Sequence, residues 1–245
     1  MKIGLVQSNY IPWRGYFDFI REVDAFVIHD DIQYTKGDWR NRNKIKTPQG
    51  TRWLTVPVHY AHTGQLICDT KIDYATDWQR DHINLFAENY RGAPYAYVAC
   101  EILHNALGAN PISLSHLNRR LIQDVLNYLN IRTPLSDSRA YALTGRKTER
   151  IIQVCKRLGA TEYLSGPAAK VYLDEDALRR EGITPLYKTY DYAPYPQLHG
   201  AFNGNLSVLD LIANIGPDAR NYLSAPLSYA KPTAGIHISH TLGGD

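Results

Sequence analysis

Two short apolar runs lie near the start of the chain, separated by a helix-length interval. Residues 3–6 read IGLV and residues 25–28 read AFVI. Between them, residues 10–23 place apolar side chains at the spacing of one helix face, with Pro12 near the first turn. The pattern predicts a β-α-β unit and therefore a parallel sheet. We expect the strand that contains Val27 to be the central one.

Helical periodicity returns in the middle of the chain, over residues 77–107 and 113–130. Ser113 and Ser115 are suitable N-cap residues for the second of these segments. The two segments predict a helical lid or second lobe.

A polar and basic stretch at residues 33–50 precedes WLTVPV at residues 53–58. The second segment has the composition of a strand. The pair therefore predicts a loop or hairpin beside the sheet.

The second half of the chain again alternates between helical and strand-like patterns. Amphipathic or helix-like segments lie at residues 147–158, 176–181 and 206–215, and strand-like segments at 162–165 and 183–187. The alternation favours further strands of the same parallel sheet.

The predicted fold class is therefore α/β, with a parallel-sheet core that starts β-α-β and a helical lid or second lobe. We expect an N-terminal α/β part with the helical insertion at residues 1–140. A C-terminal α/β part at residues 141–224 would complete the site. The tail at residues 225–245 has no strong period, so we expect it to be poorly ordered.

Composition narrows the class of protein. Of 245 residues, 44% are hydrophobic and 21% are charged, which is typical of a folded, enzyme-sized body. A formal charge of +3 gives no strong nucleic-acid signal, although local anion sites remain compatible with it. The apolar run at the start is too short for a signal peptide or a membrane span, so we expect a cytoplasmic protein.

Cysteine and histidine spacing gives no metal signature. Cys68, Cys100 and Cys155 are far apart, and the nine histidines show neither HxH nor HExxH spacing. We therefore expect free thiols and no metal site.

The stretch at residues 30–46 is the most informative for chemistry. We take its polar and aromatic members as candidate substrate contacts: Gln33, Tyr34, Lys36, Trp39, Arg40, Asn41, Arg42, Asn43 and Lys46. Arginine and lysine bind phosphate, and aromatic faces stack on sugars or bases. In an alternating strand Arg40 and Arg42 would share a face and could reach one diphosphate. The alternative is that these groups pin a long loop through internal hydrogen bonds.

Three residues are candidates for a catalytic role. Asp30 and Asp31 directly follow the second apolar run, at the end of a strand where α/β enzymes place bases. Only one of two successive residues can face the same way, and the pair could equally cap a turn. His82 on a predicted helix is the third candidate, although such a histidine is more often a surface or internally satisfied one.

The segment after the first strand offers Gln7, Asn9 and Tyr10 as further substrate contacts near a helix N-terminus. IGLVQ and SNYIPWRGYF together resemble, more distantly, the HIGH-type nucleotidyltransferases. Gly15, which would permit close approach of a phosphate, stands where that motif has its glycine, but the paired histidines are missing. The alternative is that this segment only starts a packed helix.

Later parts of the chain supply a second group of candidates. The remaining predicted substrate contacts are Lys147, Thr148, Ser165, Gly166, Lys170 and Gln197. Arg146 and Arg150 add positive charge at the start of the helix at residue 147. Basic residues oppose the dipole there, so a bound anion would explain them.

Several stretches read together are similar to the WbqC-like family. They are QSNYIPWRGYFDFI at 7–20, DDIQYTKGDWRNRNKIK at 30–46, WLTVPV at 53–58, GATEYLSGPAAKVYL at 159–173 and YPQLHGAFNGNLSVLDLIANIG at 195–216. The resemblance extends over nearly the whole chain. It implies a place in O-antigen or related surface-polysaccharide biosynthesis.

The resemblance also implies a type of reaction, and it favours an enzyme over a scaffold. We expect an acyl or aminoacyl transferase or ligase that forms an amide on an amino-sugar nucleotide. The donor is left open between ATP-dependent activation and an activated acyl donor, and a homo-oligomer is compatible with the sequence. One alternative is a nucleotidyltransferase-like enzyme with a degenerate HIGH-type motif, and another is a non-catalytic nucleotide- or glycan-binding accessory protein. The family often has His at the position of Gln7, so no imidazole role is carried over to that position.

Overall fold

The structure is a computed structural model that describes residues 1–223. The predicted poorly ordered tail at residues 225–245 lies outside the described residues. The strands are β1 (Lys2–Val6), β2 (Ala25–Ile28), β3 (Arg42–Thr47), β4 (Gly50–Thr55), β5 (Leu135–Asp137), β6 (Glu162–Ser165) and β7 (Thr184–Tyr187). The α-helices are α1 (Arg14–Arg21), α2 (Trp78–Tyr90), α3 (Ala96–Gly108), α4 (Leu114–Tyr128), α5 (Thr148–Leu158), α6 (Glu175–Arg180) and α7 (Val208–Ile215). Within residues 1–223 no helix has the length and apolar character needed to cross a membrane.

Five strands form one parallel sheet in the order β5-β2-β1-β6-β7. The predicted α/β core that starts β-α-β is confirmed. The expectation that Val27 lies in the central strand was wrong, because β6 pairs with the free side of β1 and makes β1 the centre.

Both faces of the sheet are covered, as a parallel sheet requires. Ile3 and Leu5 of β1 pack in a cluster with residues of α5 and α6. Phe26 and Ile28 of β2 belong to a second, larger cluster that includes residues of α1, α2, α3, α4 and α7. The near-continuous apolar runs in β1 and β2 follow from this burial on both sides.

The chain between β2 and β5 forms the hairpin of β3 and β4, and then helices α2, α3 and α4. Ser113 caps α4 as predicted, since its side chain accepts a hydrogen bond from the backbone N–H of His116. Leu117 and Leu121 of α4 lie in the same hydrophobic cluster as the sheet residues. The division of the chain near residue 140 stays a prediction.

The order of the strands reverses at β1. The chain runs from β1 outward to β2 and β5, and later returns to β6 and β7 on the other side. In doubly wound sheets ligands bind in the crevice at the carboxyl ends of the strands that flank such a reversal. Here those strands are β1 and β6.

Gly4 provides a test of how closely α1 packs on the central strand. A Cβ atom on Gly4 would lie 2.3 Å from Cε1 of Phe19. We expect Gly4→Ala to lower the free energy of unfolding by about 1–3 kcal/mol, because a packed ring would have to shift. Chemical denaturation measures this value.

The matched control is Gly108→Ala at the end of α3, where a Cβ atom would meet nothing within 4 Å. Alanine has a higher helix propensity than glycine, so this variant should be at least as stable as the wild type. Equal stability of Gly4→Ala and the wild type would contradict the packing described.

Candidate functional site

Buried side chains join the carboxyl ends of β1 and β2. Asp30 is 1% exposed. Its carboxylate accepts hydrogen bonds from the backbone N–H of Ser8 (2.8 Å), the hydroxyl of Ser8 (2.7 Å) and the hydroxyl of Ser115 (2.5 Å). The amide Nδ2 of Asn118 in α4 donates to Ser8 Oγ (3.2 Å) and to the backbone oxygen of Arg40 (2.8 Å). This network fixes the main chain at Arg40 against the strand ends.

Asp31 faces the opposite side of the sheet from Asp30. Ser138 and Arg150 of α5 both donate hydrogen bonds to its carboxylate. Burial alone would raise the pKa of Asp31, but the hydrogen bonds from Ser138 and Arg150 outweigh it and lower the pKa. A carboxylate of this kind is a poor base and a good anchor for Arg150.

His29 completes this group on the Asp31 side. Arg150 Nε lies 3.1 Å from His29 Nε2. Because arginine can only donate, His29 Nε2 must accept, which assigns the neutral form with its proton on Nδ1. Burial lowers the pKa of His29 to about 4. The 3.7 Å approach of His29 to Asp31 is therefore not an ion pair at neutral pH.

A cavity of about 470 Å³ opens beside these residues. We call it the basic cavity, and it is lined by Leu5, Gln7, His29, Ile32, Gly145, Arg146, Lys147, Arg150, Ile151, Tyr163 and Tyr172. Its lining includes β1, β6 and the residues that follow β1 and β2, so it lies where the strand order reverses. Arg150 pairs with a carboxylate, whereas Arg146 and Lys147 are exposed and form no salt bridge within residues 1–223. The cavity therefore suits an anion.

The loop that enters α5 has an unusual backbone. Lys147 has φ +46° and ψ −117°, a conformation that L-residues rarely adopt. The side chain of the N-cap residue Lys147 forms no capping hydrogen bond, and the carboxylate of Glu149 accepts the backbone N–H of Arg146 at 3.0 Å. Strain of this kind tends to occur at ligand sites, where it holds a group in a required position.

Arg40 connects the basic cavity with a second cavity. Its Nη1 donates to Asn9 Oδ1 (2.9 Å) and its Nη2 donates to Gln7 Oε1 (3.3 Å). Gln7 lines the basic cavity, and Asn9 lines the second one. One guanidinium thus bonds to a wall of each.

The second cavity has a volume of about 370 Å³. We call it the tryptophan cleft, and it is lined by Asn9, Pro12, Trp13, Trp39, Asn43, Lys44 and Asn205. The ring of Trp13 lies where a Cβ atom on Gly15 would come within 2.3 Å. Gly15 was expected to let a phosphate approach α1. Instead, its missing side chain makes room for Trp13.

The guanidinium groups of Arg40 and Arg42 have different partners. Arg40 precedes β3, whereas Arg42 begins it. The guanidinium of Arg42 lies over the ring of Trp53, 4.3 Å from its centre. The expectation that both arginines share one strand face was wrong, because the strand starts only at Arg42. That both reach one diphosphate stays a prediction.

Other candidates from the stretch at residues 30–46 are engaged within the fold. Asn41 and Asn43 are buried and donate hydrogen bonds from Nδ2 to backbone carbonyls at 2.9 Å and 2.8 Å. Tyr34 is also buried. Gln33 and Lys36 are exposed, and neither lines the two cavities. For the two asparagines the geometry favours the alternative in which they pin the loop.

His82 of α2 pairs with Tyr10 rather than lining either cavity. Its Nδ1 lies 2.9 Å from the Tyr10 hydroxyl. Burial lowers the pKa of His82 to about 4 and raises the pKa of Tyr10. Both groups are therefore neutral at pH 7, and the pair ties α2 to the segment after β1.

Lys46 and Gln197 belong to a separate network around the buried carboxylate of Asp210. Lys46 Nζ donates to Gln197 Oε1 (2.9 Å), and Gln197 Nε2 donates to Asp210 (2.6 Å). The hydroxyls of Tyr90 and Tyr195 donate to the same carboxylate at 2.6 Å and 2.7 Å. Burial raises the pKa of Asp210, although these hydrogen bonds oppose it. The network fixes the irregular segment before α7.

Of the candidates between residues 147 and 170, only Lys147 lines the basic cavity. The hydroxyl of Thr148 accepts a hydrogen bond from the backbone N–H of Asp174, just before α6, at 3.1 Å. Ser165 is buried at the end of β6, and Gly166 precedes the 3₁₀ turn at Pro167–Val171. The ammonium of Lys170 lies 4.9 Å from the centre of a tyrosine ring in β7.

Some residues of the basic cavity were not predicted as site residues. His29 could have been found, because Val27 faces α5 and strand alternation puts His29 on the same face. Arg146 and Arg150 had been expected at a bound anion, and both line the cavity; Arg150 lies in α5, whereas Arg146 precedes the helix. Tyr172 has no comparable signal, because a 3₁₀ turn after β6 carries it to the cavity.

Comparison with known proteins agrees with the motifs. Residues 7–222 match the model of the WbqC-like protein family, which confirms the resemblance. A relative described as the uncharacterized protein Rv1507c of Mycobacterium tuberculosis (strain ATCC 25618 / H37Rv) is 47% identical over 225 residues. That alignment covers 91% of this chain and 97% of the relative. No solved structure matches the chain.

We expect acidification to lower the stability of the protein, because the half-buried His29 and the buried His82 resist protonation in the folded chain. The folded-state pKa values of His29 and His82, about 4, lie below the ordinary value of 6.5. Above pH 6.5 both imidazoles are neutral in the folded and the unfolded chain. As the pH falls from 6.5 to 4 only the unfolded chain binds protons, so the free energy of unfolding falls by up to about 3 kcal/mol per histidine.

Chemical denaturation between about pH 7.5 and about pH 4.5 measures this slope. His29→Gln and His82→Gln should each make it shallower, because each removes one site of proton uptake in the unfolded chain. A slope that neither substitution changes would contradict the assignment.

Proposed function

The chain belongs to the WbqC-like protein family, and on that premise we propose that it is a transferase or ligase that forms an amide on an amino-sugar nucleotide. The product would serve O-antigen or related surface-polysaccharide assembly. The observation that carries the proposal is the basic cavity at the point where the strand order reverses. Family membership supports the pathway, and the cavity supports an anionic substrate. A cytoplasmic location, where soluble nucleotide precursors are available, is part of the proposal.

The diphosphate of the substrate would lie against Arg146, Lys147 and Arg150. Charge-assisted hydrogen bonds to phosphate are stronger than neutral ones, and an arginine fork adds direction. Asp31 and His29 engage Nη2 and Nε of Arg150. They orient the guanidinium, so we assign both of them a positioning role.

The nucleobase would lie near the tyrosines of the same cavity. Tyr172 lines the cavity and is 54% exposed. Tyr163, which also lines the cavity, lies in β6. An exposed aromatic face can stack on a base with little loss of side-chain freedom. Base and diphosphate would then share the basic cavity.

The reaction joins an amine to an acyl group. The amine nitrogen of the sugar attacks the acyl carbonyl carbon, a C–N bond forms, and the bond from that carbon to the leaving group breaks. The proton lost by the amine departs with the leaving group. The donor is an acyl thioester, or a carboxylate that ATP converts into an acyl phosphate or acyl adenylate.

Neither aspartate is well suited to act as the base in this proposal. Asp30 is buried and accepts three hydrogen bonds, and the pKa of Asp31 is lowered. In this proposal the substrate is oriented by Gln7, Asn9 and Arg40, which lie where the two cavities approach each other.

The nucleotidyltransferase-like alternative would place a phosphate outside the basic cavity. Its motif requires a phosphate to approach the start of α1 near Gly15, and the ring of Trp13 takes up that space. This contact favours the amide-forming proposal. An accessory protein would bind the nucleotide but would not convert it.

Substitution of two exposed cationic residues tests the diphosphate site. We expect Arg146→Gln and Lys147→Gln each to weaken binding of UDP- and dTDP-linked amino sugars by about 1.5–3 kcal/mol, because each removes one charge-assisted contact. Isothermal titration measures the affinity. Melting temperature should change little, since both side chains are exposed. The matched control is Lys170→Gln, which lies outside the cavity and should leave affinity unchanged.

Incubation with amino-sugar nucleotides and an acyl thioester, or with a carboxylic acid and ATP, tests the reaction. Mass spectrometry should show the acylated sugar nucleotide. Pyrophosphate release without that product would favour a nucleotidyltransferase, and binding without any turnover would favour an accessory protein. Failure of every nucleotide to bind would contradict the proposal itself.

A further inference from the structure

We infer that the tryptophan cleft binds a pyranose ring, and that this ring is the sugar of the nucleotide whose diphosphate lies in the basic cavity. The first part concerns the cleft alone. The second part rests on the proposed function.

The aromatic walls of the cleft suit the C–H face of a sugar. Trp39 is 42% exposed on one wall. Trp13 on another wall is held by packing over Gly15 and by a ring of Tyr190 whose centre lies 5.1 Å from its own. A large, partly exposed aromatic beside a rigid one is a common feature of binding sites, because rigid rings lose little entropy on contact.

The polar groups of the cleft suit hydroxyls. Asn9 Oδ1 is engaged by Arg40 Nη1, which orients the amide and leaves its Nδ2 donors for a ligand. The side chain of Asn205 forms no hydrogen bond within residues 1–223, although its backbone N–H does. A sugar hydroxyl can donate and accept, so it can pair with either atom of such an amide.

The charge of the cleft also favours a neutral ring over a second phosphate. Its one cationic lining residue, Lys44, has its ammonium 4.7 Å from the centre of the Trp53 ring. That cation already has an aromatic partner. The exposed cations Arg146 and Lys147 lie in the other cavity.

The position of the cleft matches the covalent structure of a sugar nucleotide. Gln7 and Asn9 are two residues apart, and one guanidinium of Arg40 bonds to both. In a sugar nucleotide a single oxygen separates the ring from the diphosphate. Adjacent cavities for ring and diphosphate, with Arg40 between them, fit that connection.

Titration of two matched pairs of ligands tests this inference. The pairs are UDP with UDP-N-acetylglucosamine, and dTDP with dTDP-glucose. In the wild type we expect the sugar to strengthen binding by about tenfold for at least one pair. Trp39→Ala should remove that increment and leave the affinity for the free nucleotide unchanged. Trp39→Phe, which keeps an aromatic face, should restore most of it.

Two further variants keep the result interpretable. Tyr97→Ala removes an exposed aromatic from α3, outside the cleft, and should change neither affinity. Asn205→Ala is the second cleft variant if Trp39→Ala does not fold, and it should reduce the increment in the same direction.

The outcomes separate this inference from the proposed function. If nucleotides bind but the sugar adds nothing and Trp39→Ala has no effect, the inference is wrong and the nucleotide site stands. If Trp39→Ala weakens free nucleotide as much as sugar nucleotide, the cleft holds the base and the inference is again wrong.

A result in which none of the four ligands binds would count against the proposed function and against the second part of the inference. Free N-acetylglucosamine then tests the first part alone. It should quench tryptophan fluorescence in the wild type and in Tyr97→Ala, but not in Trp39→Ala. Equal quenching in all three would overturn the assignment of the cleft.

Discussion

The carboxylate of Asp30 is buried at the carboxyl ends of β1 and β2, where it accepts hydrogen bonds from Ser8 and Ser115. Burial of a carboxylate is costly unless donors replace its water, and three donors do so here. Asn118 extends the network from Ser8 to the main chain of Arg40. The position of Arg40, and with it the relation of the two cavities, therefore depends on α4 packing against the strand ends.

After β1 and β2, successive residues point alternately toward the buried hydrogen-bond network and toward the basic cavity. Ser8 and Asp30 face the buried network. Their neighbours Gln7 and Asp31 lie at the basic cavity or bind the arginine that lines it. A shift of one residue in either strand would exchange these tasks, which is why adjacent residues of similar chemistry are not equivalent here.

Local patterns specify most of the helices and strands, because periodicity and caps act over a few residues. The bounds of β2 and β6 agree with the predicted strand segments, and α5 ends as predicted before Gly159, whose φ is +67°. The three-residue strand β5, LSD, has no such signal, since its sequence resembles a turn. Site contacts were harder to predict, because they join distant segments: His29 and Arg150 are 121 residues apart, and only tertiary packing brings them together.

The central claim is that one sugar nucleotide spans the basic cavity and the tryptophan cleft across Arg40. A crystal structure of the protein with bound UDP-N-acetylglucosamine or dTDP-glucose tests it most directly. The account predicts phosphate oxygens within hydrogen-bond distance of Lys147 and Arg150, and the sugar ring against Trp39. Phosphates at the start of α1, or a nucleobase in the tryptophan cleft, would contradict it.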